Sequence, residues 1–484
     1  MSSTRRLRAT QPAAPALEPG IARIRREMDL PDGFPPEVEA AAAKAAAAPR
    51  LPLEDRSDIP FVTIDPPGAM DLDQALHVER SGDGFVVHYA IADVAAFVAP
   101  GDPVDLEANR RGETLYGGND KIPLHPKALS EDAASLLPDR TRPALLWAIA
   151  LDRTGEGTSV DVHRALVRSR ERLDYDGVQA RIDAGGADPM WAVLGEIGEL
   201  RMQREQRRGG VSLPLPDQEI QVDGDDWHLA FRARNEVEDW NEQISLLTGM
   251  AAAHLMVQHH AGLLRTLPEP PAHAIGRLQR TARALGIEWP KSRSYPDFIR
   301  SLDPANPRHQ AMMVSCTSVL RGAGYAAFDG ELPPHPQHSA LASTYTHVTA
   351  PLRRLVDRYT GELCVALCAG EPVPDWVLQA LPGLPRTMAA ADQRASRYER
   401  AVIDLAEALV LAPRIGEAFE ATIVEVDRHD VDRPDRHRGV AMLHALAIEA
   451  PVSGEHALPL GEVVQVRLAT ADPARRAIEF TWSP

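Results

Sequence analysis

Cysteine is scarce: Cys316, Cys364 and Cys368 are the three in 484 residues, too few for a disulfide framework. Cys364 and Cys368 stand four apart with no clustered histidines, and read as small buried hydrophobes rather than metal ligands. No apolar run approaches the ~18 residues that span a bilayer, so no membrane helix is expected. The opening MSSTRRLRATQPAAPALEPG is basic but has no apolar core, unlike a secretory signal. A reducing cytoplasm is the simplest setting. Positive charge is also in short supply, with 52 Lys and Arg against 69 Asp and Glu and a net charge of −17. That balance argues against indiscriminate binding to nucleic acid. It leaves room for a local basic channel, because field and counterion release depend on where charge sits.

What is present is ordinary for a soluble globular chain, 44% hydrophobic and 25% charged, and the length suggests about three domains. Residues 1–50 read as a small helical region. GIARIRREMD suggests a basic helix, and PPEVEAAAAKAAAAPR offers Pro at a helix start and Pro as its stop, so a helix-turn-helix or a spacer fits. From 51 to 413 no linker composition intervenes. FVVHYAIADVAAFV (85–98) reads as a near-continuous apolar strand followed by a turn or short helix, and PALLWAIALDR (143–153) and TSVDVHRALVRSR (158–170) as further strands, the second alternating. Segments 238–260, 274–286, 356–369 and 386–411 read as helices. Residues 414–484 alternate apolar and polar with turns at Gly, Pro and Asp, as in a five-stranded antiparallel barrel.

Arginines recur in rows. Arg164, Arg168, Arg170 and Arg172 share one face of a strand. Arg277, Arg280 and Arg283, then Arg394, Arg397 and Arg400, repeat at three-residue steps on helices. Each row alone is a solvated face; together they point to an anionic polymer.

Two stretches carry chemistry. TIDPPGAMDLDQAL places Asp65, Asp71 and Asp73 around a Pro-Pro-Gly turn that excludes helix. Oxygen-only donors in a loop suit a hard cation such as Mg²⁺, and a solvated acidic turn is the bland alternative. In YTHVTAPLRRLVDR, Pro351 is expected in the first turn of a helix, placing Arg353 and Arg354 where free N–H groups and guanidinium favour a phosphate. The alternative is an ion pair with Asp357.

In order along the chain, TIDPPGAMDLDQAL, VHYAIADVAAFV, ETLYGGNDKIPLHPKALSEDAASLLP and YTHVTAPLRRLVDR resemble the catalytic domain of the ribonuclease II / ribonuclease R family. The resemblance covers about residues 55–412, and residues 414–484 look like an S1-type RNA-binding domain. It implies an α+β chain: a helical region over 1–50, a mixed α/β RNB-type catalytic domain over 51–413 with a central RNA channel, and an OB-like S1 barrel over 414–484. It implies a 3′→5′ exoribonuclease acting on single-stranded RNA with Mg²⁺, or Mn²⁺ in its place, and no obligate protein partner. Asp65, Asp71 and Asp73 match the acidic cluster that binds the metal and positions the attacking water. Arg353 matches the catalytic Arg, with Asp71 and Asp73, at the scissile phosphate. Tyr116 matches the aromatic that stacks on a terminal base, and Glu399 the acid near the 3′-terminal nucleotide. Arg354, Arg168 and Arg170 are further candidates for RNA contact.

The sequence departs from the family pattern in three places. Gln74 stands where the family's fourth Asp is usual; its amide oxygen can ligate a metal but carries no charge. About fifty N-terminal residues leave no room for a pair of cold-shock barrels. The S1-like segment has only Phe419, Phe480 and Trp482 as aromatics. Two alternatives follow: a catalytically impaired RNA-binding or regulatory relative, and another metal-dependent phosphodiesterase acting on DNA or small nucleotides.

Overall fold

The computed structural model describes residues 7–9, 17–118, 120–185, 188–213, 217–223, 226–232, 234–304, 306–427, 437–446 and 448–484. Most of the basic opening lies outside these residues.

Two closed five-stranded barrels organise the chain. The first takes its strands in the order Phe61–Ile64, Gln74–Ser81, Gly84–Ala92, Thr141–Leu151 and Gly157–Leu173, and closes through a parallel pair between the first and last. Strands Gly84–Ala92 and Thr141–Leu151 are covered on both faces, which is why they read as near-continuous apolar runs. One face carries small residues (Ala75, Ala90, Ala92, Ala144, Ala165) in a core shared with Val38 and Ala42 of helix Pro36–Ala47. The other carries Leu76, Ile91, Leu145 and Trp147, against Trp191 and Ile197 of helix Pro189–Arg208 and Trp240 and Ile244 of helix Glu236–Gln258.

The second barrel is formed by Ala418–Val426, His437–Leu443, Ile448–Gly454, Ala477–Trp482 and Val463–Asp472. Its core merges with the long helix Leu384–Leu411 and with helix Glu18–Glu27 through Leu17, Ile21, Ile24 and Val402. Gly20 sits so close to Leu405 that a Cβ would collide with its side chain. Arg23 Nη2 donates to the Pro473 carbonyl (2.9 Å), and Arg476 pairs with Glu27 at 2.7 Å. The two helices within residues 1–50 therefore pack on different cores. A third group of helices, Ala272–Ala284, Tyr295–Arg300 and Pro307–Thr317, packs on the second barrel through Val424 and Met442.

One local expectation is corrected. Pro351 does not open a helix: the helix begins at Leu355 and runs to Ala369, with Arg354 as its cap residue in an extended conformation. An antiparallel bridge between Glu113 and Arg354 holds the preceding residues extended, with the Thr114 N–H donating to the Arg353 carbonyl (2.9 Å) and the Leu355 N–H to the Gly112 carbonyl (3.0 Å).

Candidate active site

The acidic loop is built by its neighbours. Asp65 follows strand Phe61–Ile64, its N–H donating to the Leu173 carbonyl (3.0 Å). Gly68 takes a positive φ of 81°, which only glycine adopts without steric cost. Leu72 is fully buried between the two later aspartates, and its N–H donates to Ser135 Oγ (3.0 Å) while its carbonyl accepts the Leu136 N–H (3.0 Å). That plug fixes Asp71 and Asp73 on either side of it.

Arg353 arrives from a segment distant in sequence. Its Nε stands 3.4 Å from Asp73 Oδ2. Main-chain bonds hold this segment: Thr114 N–H donates to the Arg353 carbonyl (2.9 Å) and Leu355 N–H to the Gly112 carbonyl (3.0 Å). The hairpin Leu115–Gly117 with Asp120–Ile122 follows directly, with Tyr116 and Lys121 as cross-strand partners. Lys121 Nζ lies 2.9 Å from Asp71 Oδ1 and 2.8 Å from Glu131 Oε1.

Burial and charge set the electrostatics. Burial pushes the Asp65 carboxyl up to about 7, against the pull of Arg353. Burial likewise pushes Asp73 up to about 8, against Arg353 and the Leu352 N–H. The protein crowding Tyr116 raises its phenol to about 12, yet 41% of the residue stays exposed. Arg353 is likewise enclosed while 38% of its side chain meets solvent. Both side chains therefore reach solvent beside the buried Asp73.

Asp65, Asp71, Asp73, Arg353 and Tyr116 thus converge. Gln74 begins its strand beside them, but its amide nitrogen donates to the Thr349 carbonyl. Arg354 turns away, giving Nε and Nη2 to the two oxygens of Asp357 at 2.9 Å each. Glu399 lies on helix Leu384–Leu411, which packs against strand Leu115–Gly117. The strand arginines disperse. Arg164 pairs with Asp93 (2.9 Å) and Glu362, Arg168 is exposed, and Arg170 Nη2 donates to the Asp58 carbonyl (3.1 Å). Arg394 serves the Arg110 and Arg111 carbonyls at 3.1 and 2.7 Å, and Arg400 pairs with Asp404 at 3.0 Å.

Sequence reasoning missed Lys121, Glu131, Tyr89 and Tyr175. The Gly-Gly turn after Tyr116 signals a hairpin that sets Lys121 opposite; nothing in the sequence signals the rest. The Tyr89 hydroxyl is buried without a partner and feels the charges of Asp65, Asp73 and Arg353. Tyr175 senses Asp65, with its hydroxyl accepting from Asn241 Nδ2 at 3.4 Å.

Among the described residues no three His, Cys, Asp or Glu side chains stand grouped as a ready metal cluster, and Asp71 is paired with Lys121. The donor chemistry still fits a hard divalent cation: all donors are oxygens. The Asp65 carboxyl feels the charges of Arg353, Asp71 and Arg172, and the orphaned Tyr89 hydroxyl adds a buried polar atom nearby.

Charge is unevenly spread. Residues 272–321 hold eight Arg and Lys against three Asp and Glu, whereas residues 414–484 hold eight against twelve. Arg277, Arg280 and Arg283 are exposed and form no ion pair among the described residues. No helix among the described residues is long and apolar enough to cross a membrane.

Comparison with known proteins places these features. The RNB domain profile matches residues 53–368, and the RNase II-type exonuclease C-terminal S1 domain profile matches residues 417–482. Ribonuclease R of Escherichia coli is 27% identical over 434 residues, covering 83% of this chain and 52% of its own length. The exosome complex exonuclease RRP44 of Homo sapiens is 28% identical over 321 residues, covering 63% and 33% respectively. The chain thus spans about half or less of these curated relatives. Mycoplasma genitalium RNase R in complex with ribose methylated single-stranded RNA shares the fold with a TM-score of 0.85 at 20% identity, covering 97% of this chain and 78% of that one. Yeast Ssd1, a pseudonuclease, shares it with a TM-score of 0.70 at 16% identity, covering 96% and 58%.

Proposed function

The chain belongs to the RNB-domain exoribonuclease family, and we propose that it shortens single-stranded RNA from the 3′ end, releasing nucleoside 5′-monophosphates in a metal-dependent hydrolysis. One observation carries the reading: Arg353 and Asp73 meet at 3.4 Å, with Tyr116 close enough to feel the charges of Arg353, Asp71 and Asp73.

Hydrolysis joins a water oxygen to phosphorus and breaks the bond to the 3′ oxygen of the preceding nucleotide, which leaves with a proton. A divalent cation held by Asp65, Asp73 and the free oxygen of Asp71, with Mg²⁺ first and Mn²⁺ as the alternative, would lower the pKa of the water and relieve charge on the phosphate. The chain's own residues do the rest. Asp73 is anchored through Oδ1 by the Leu352 N–H, which fixes Oδ2 beside Arg353 Nε at 3.4 Å, facing the reacting phosphate. Arg353 donates to the phosphate oxygens as negative charge grows in the transition state. Tyr116 offers its open ring face to the terminal base, a contact tolerant of sequence. Glu399 stands on the helix behind that hairpin, near the terminal nucleotide. Arg168 and Arg170 are outlying RNA contacts, whereas Arg354 acts by holding Asp357. A cytoplasmic setting, with RNA as the one partner required, goes with this reading.

A second reading, an RNA-binding relative without hydrolysis, draws on Gln74, whose amide is committed to Thr349. One assay separates them: 5′-labelled single-stranded RNA, matching DNA and a blunt duplex with Mg²⁺, using wild type and Asp73→Asn. A ladder shortening from the 3′ end of RNA alone, absent in the variant, is expected. Tight RNA binding without cleavage by wild type supports the second reading, and equal loss of DNA defeats both.

A further inference from the structure

Methionine sulfur is kept from solvent across this fold except beside the acidic loop. Of the eleven methionines, ten lie in the described residues; six of these are buried, and Met28, Met202 and Met250 are half-buried. Met70 alone among the ten is exposed, at 37%. It directly precedes Asp71, and its main chain is clamped. The buried Ser135 Oγ donates to the Met70 carbonyl (2.6 Å) and accepts the Leu72 N–H (3.0 Å). From that fixed point the side chain reaches Arg172, whose Nη1 donates to Met70 Sδ (3.2 Å) and to the Ala69 carbonyl (3.2 Å). The Arg172 charge in turn acts on Asp65, behind burial, Arg353 and Asp71.

An exposed thioether is open to peroxide where no thiolate competes. The thiols here compete poorly: burial raises all three, Cys316 to about 12, and so withholds the reactive thiolate. In the reaction a lone pair on Met70 Sδ takes one oxygen from hydrogen peroxide. The O–O bond breaks, and the other oxygen leaves as water with both protons. Sulfur gives up two electrons and the peroxide accepts them. A thioether is a weak acceptor, whereas the sulfoxide is polar. Arg172, already touching the sulfur, gives the new oxygen a charge-assisted hydrogen bond. That bond competes with the Ala69 carbonyl for the same Nη1 and draws positive charge away from the loop. Resting on the exoribonuclease reading of the same loop, we propose that Met70 is a modification site for peroxide oxidants, its sulfoxide held by Arg172 and slowing hydrolysis of RNA at the neighbouring aspartates.

The full chain, with and without hydrogen peroxide, is mapped by mass spectrometry while shortening of labelled single-stranded RNA is timed. Wild type, Met70→Leu, Met70→Gln and Arg172→Gln are compared. Sulfoxide is expected at Met70 before Met28, Met202 or Met250. Oxidised wild type is expected to shorten RNA roughly three- to fivefold more slowly, the scale of one exposed charge contact. A methionine sulfoxide reductase with a dithiol should restore both mass and rate. Met70→Leu, a volume-conserving change, keeps the basal rate and loses the response. Met70→Gln, with a permanent acceptor oxygen, is slow without peroxide. Arg172→Gln still gains oxygen at Met70, and its rate responds less than that of wild type. Sulfoxide forming first at another methionine, or full slowing by peroxide in Met70→Leu, overturns the proposal. If a variant loses its fold in a thermal melt, the order of oxidation in wild type and rescue by the reductase still decide. Wild type that gains oxygen at Met70 yet never shortens RNA defeats the exonuclease reading instead. RNA affinity of the two forms, measured by fluorescence anisotropy, then tests Met70, and equal affinities overturn its role.

Discussion

Tyr398 packs against Gly117 so tightly that a Cβ on the glycine would lie 2.7 Å from the ring of Tyr398. Tyr398 is fully buried on the long helix and Gly117 directly follows Tyr116. The contact therefore sets the depth at which the Tyr116 ring stands. Gly117→Ala should lower stability by about 1–3 kcal/mol, as overpacking of a tight contact does. It should also raise KM for RNA more than it lowers kcat, which steady-state kinetics with a thermal melt will resolve.

Arg353→Lys keeps the charge but loses the planar fork that grips two phosphate oxygens. Single-turnover cleavage of labelled RNA should slow by roughly 10²-fold, in the range for removing one donor from a charge-stabilising site. RNA binding should fall far less. Arg354→Lys should act differently, lowering the melting temperature because Arg354 is spent on Asp357.

In metal-free protein, Asp65 and Asp73 carry carboxyls raised to about 7 and about 8, chiefly by burial. Their contribution to stability is fully present below the unfolded value near 4 and is lost as pH rises through 7 to 8. The apo melting temperature should therefore fall from pH 4 to pH 8, and Asp73→Asn should flatten that decline. Added Mg²⁺ should restore stability most at the alkaline end, by binding the ionised folded form.

Gln74→Asp adds a charge but removes the amide that donates to the Thr349 carbonyl. The Mg²⁺ concentration for half-maximal rate should drop, while stability falls by about 1 kcal/mol for the lost hydrogen bond. An unchanged metal titration would show that this position is not a ligand.

The exposed row Arg277, Arg280 and Arg283 lies in the basic segment beside an acidic terminal barrel. Changing all three to Glu should weaken binding of long RNA, leave oligonucleotides that fill only the active site unaffected, and flatten the salt dependence of binding. Fluorescence anisotropy across a salt series measures both.

Much of this was legible in the sequence, for physical reasons. Strands covered on two faces write themselves as apolar runs, so Gly84–Ala92 and Thr141–Leu151 stand out. The Pro-Pro-Gly turn announces the acidic loop, and the family resemblance ties it to Arg353. What stayed hidden depended on contacts across the chain. Arg353 and Arg354 are adjacent and chemically identical, and only the position of Asp357 decides which faces Asp73. The Pro351 segment has a sequence suited to a helix start, but an antiparallel bridge to Glu113 holds Arg354 extended. The Lys121–Asp71 contact needs a hairpin and a distant turn to meet, which no local pattern encodes. The arginine rows misled because spacing shows which face a residue occupies and not what it meets. Arg164 meets Asp93, and Arg394 meets backbone carbonyls.

Under the proposed exonuclease reading, the pairing of Tyr116 and Arg353, both open to water, has a topological consequence. Cleavage there would begin from a chain end. A covalently closed RNA circle of the same sequence has no end to insert and should survive intact until a single nick converts it to substrate. Vulnerability to this protein then becomes a property of RNA ends rather than of RNA sequence.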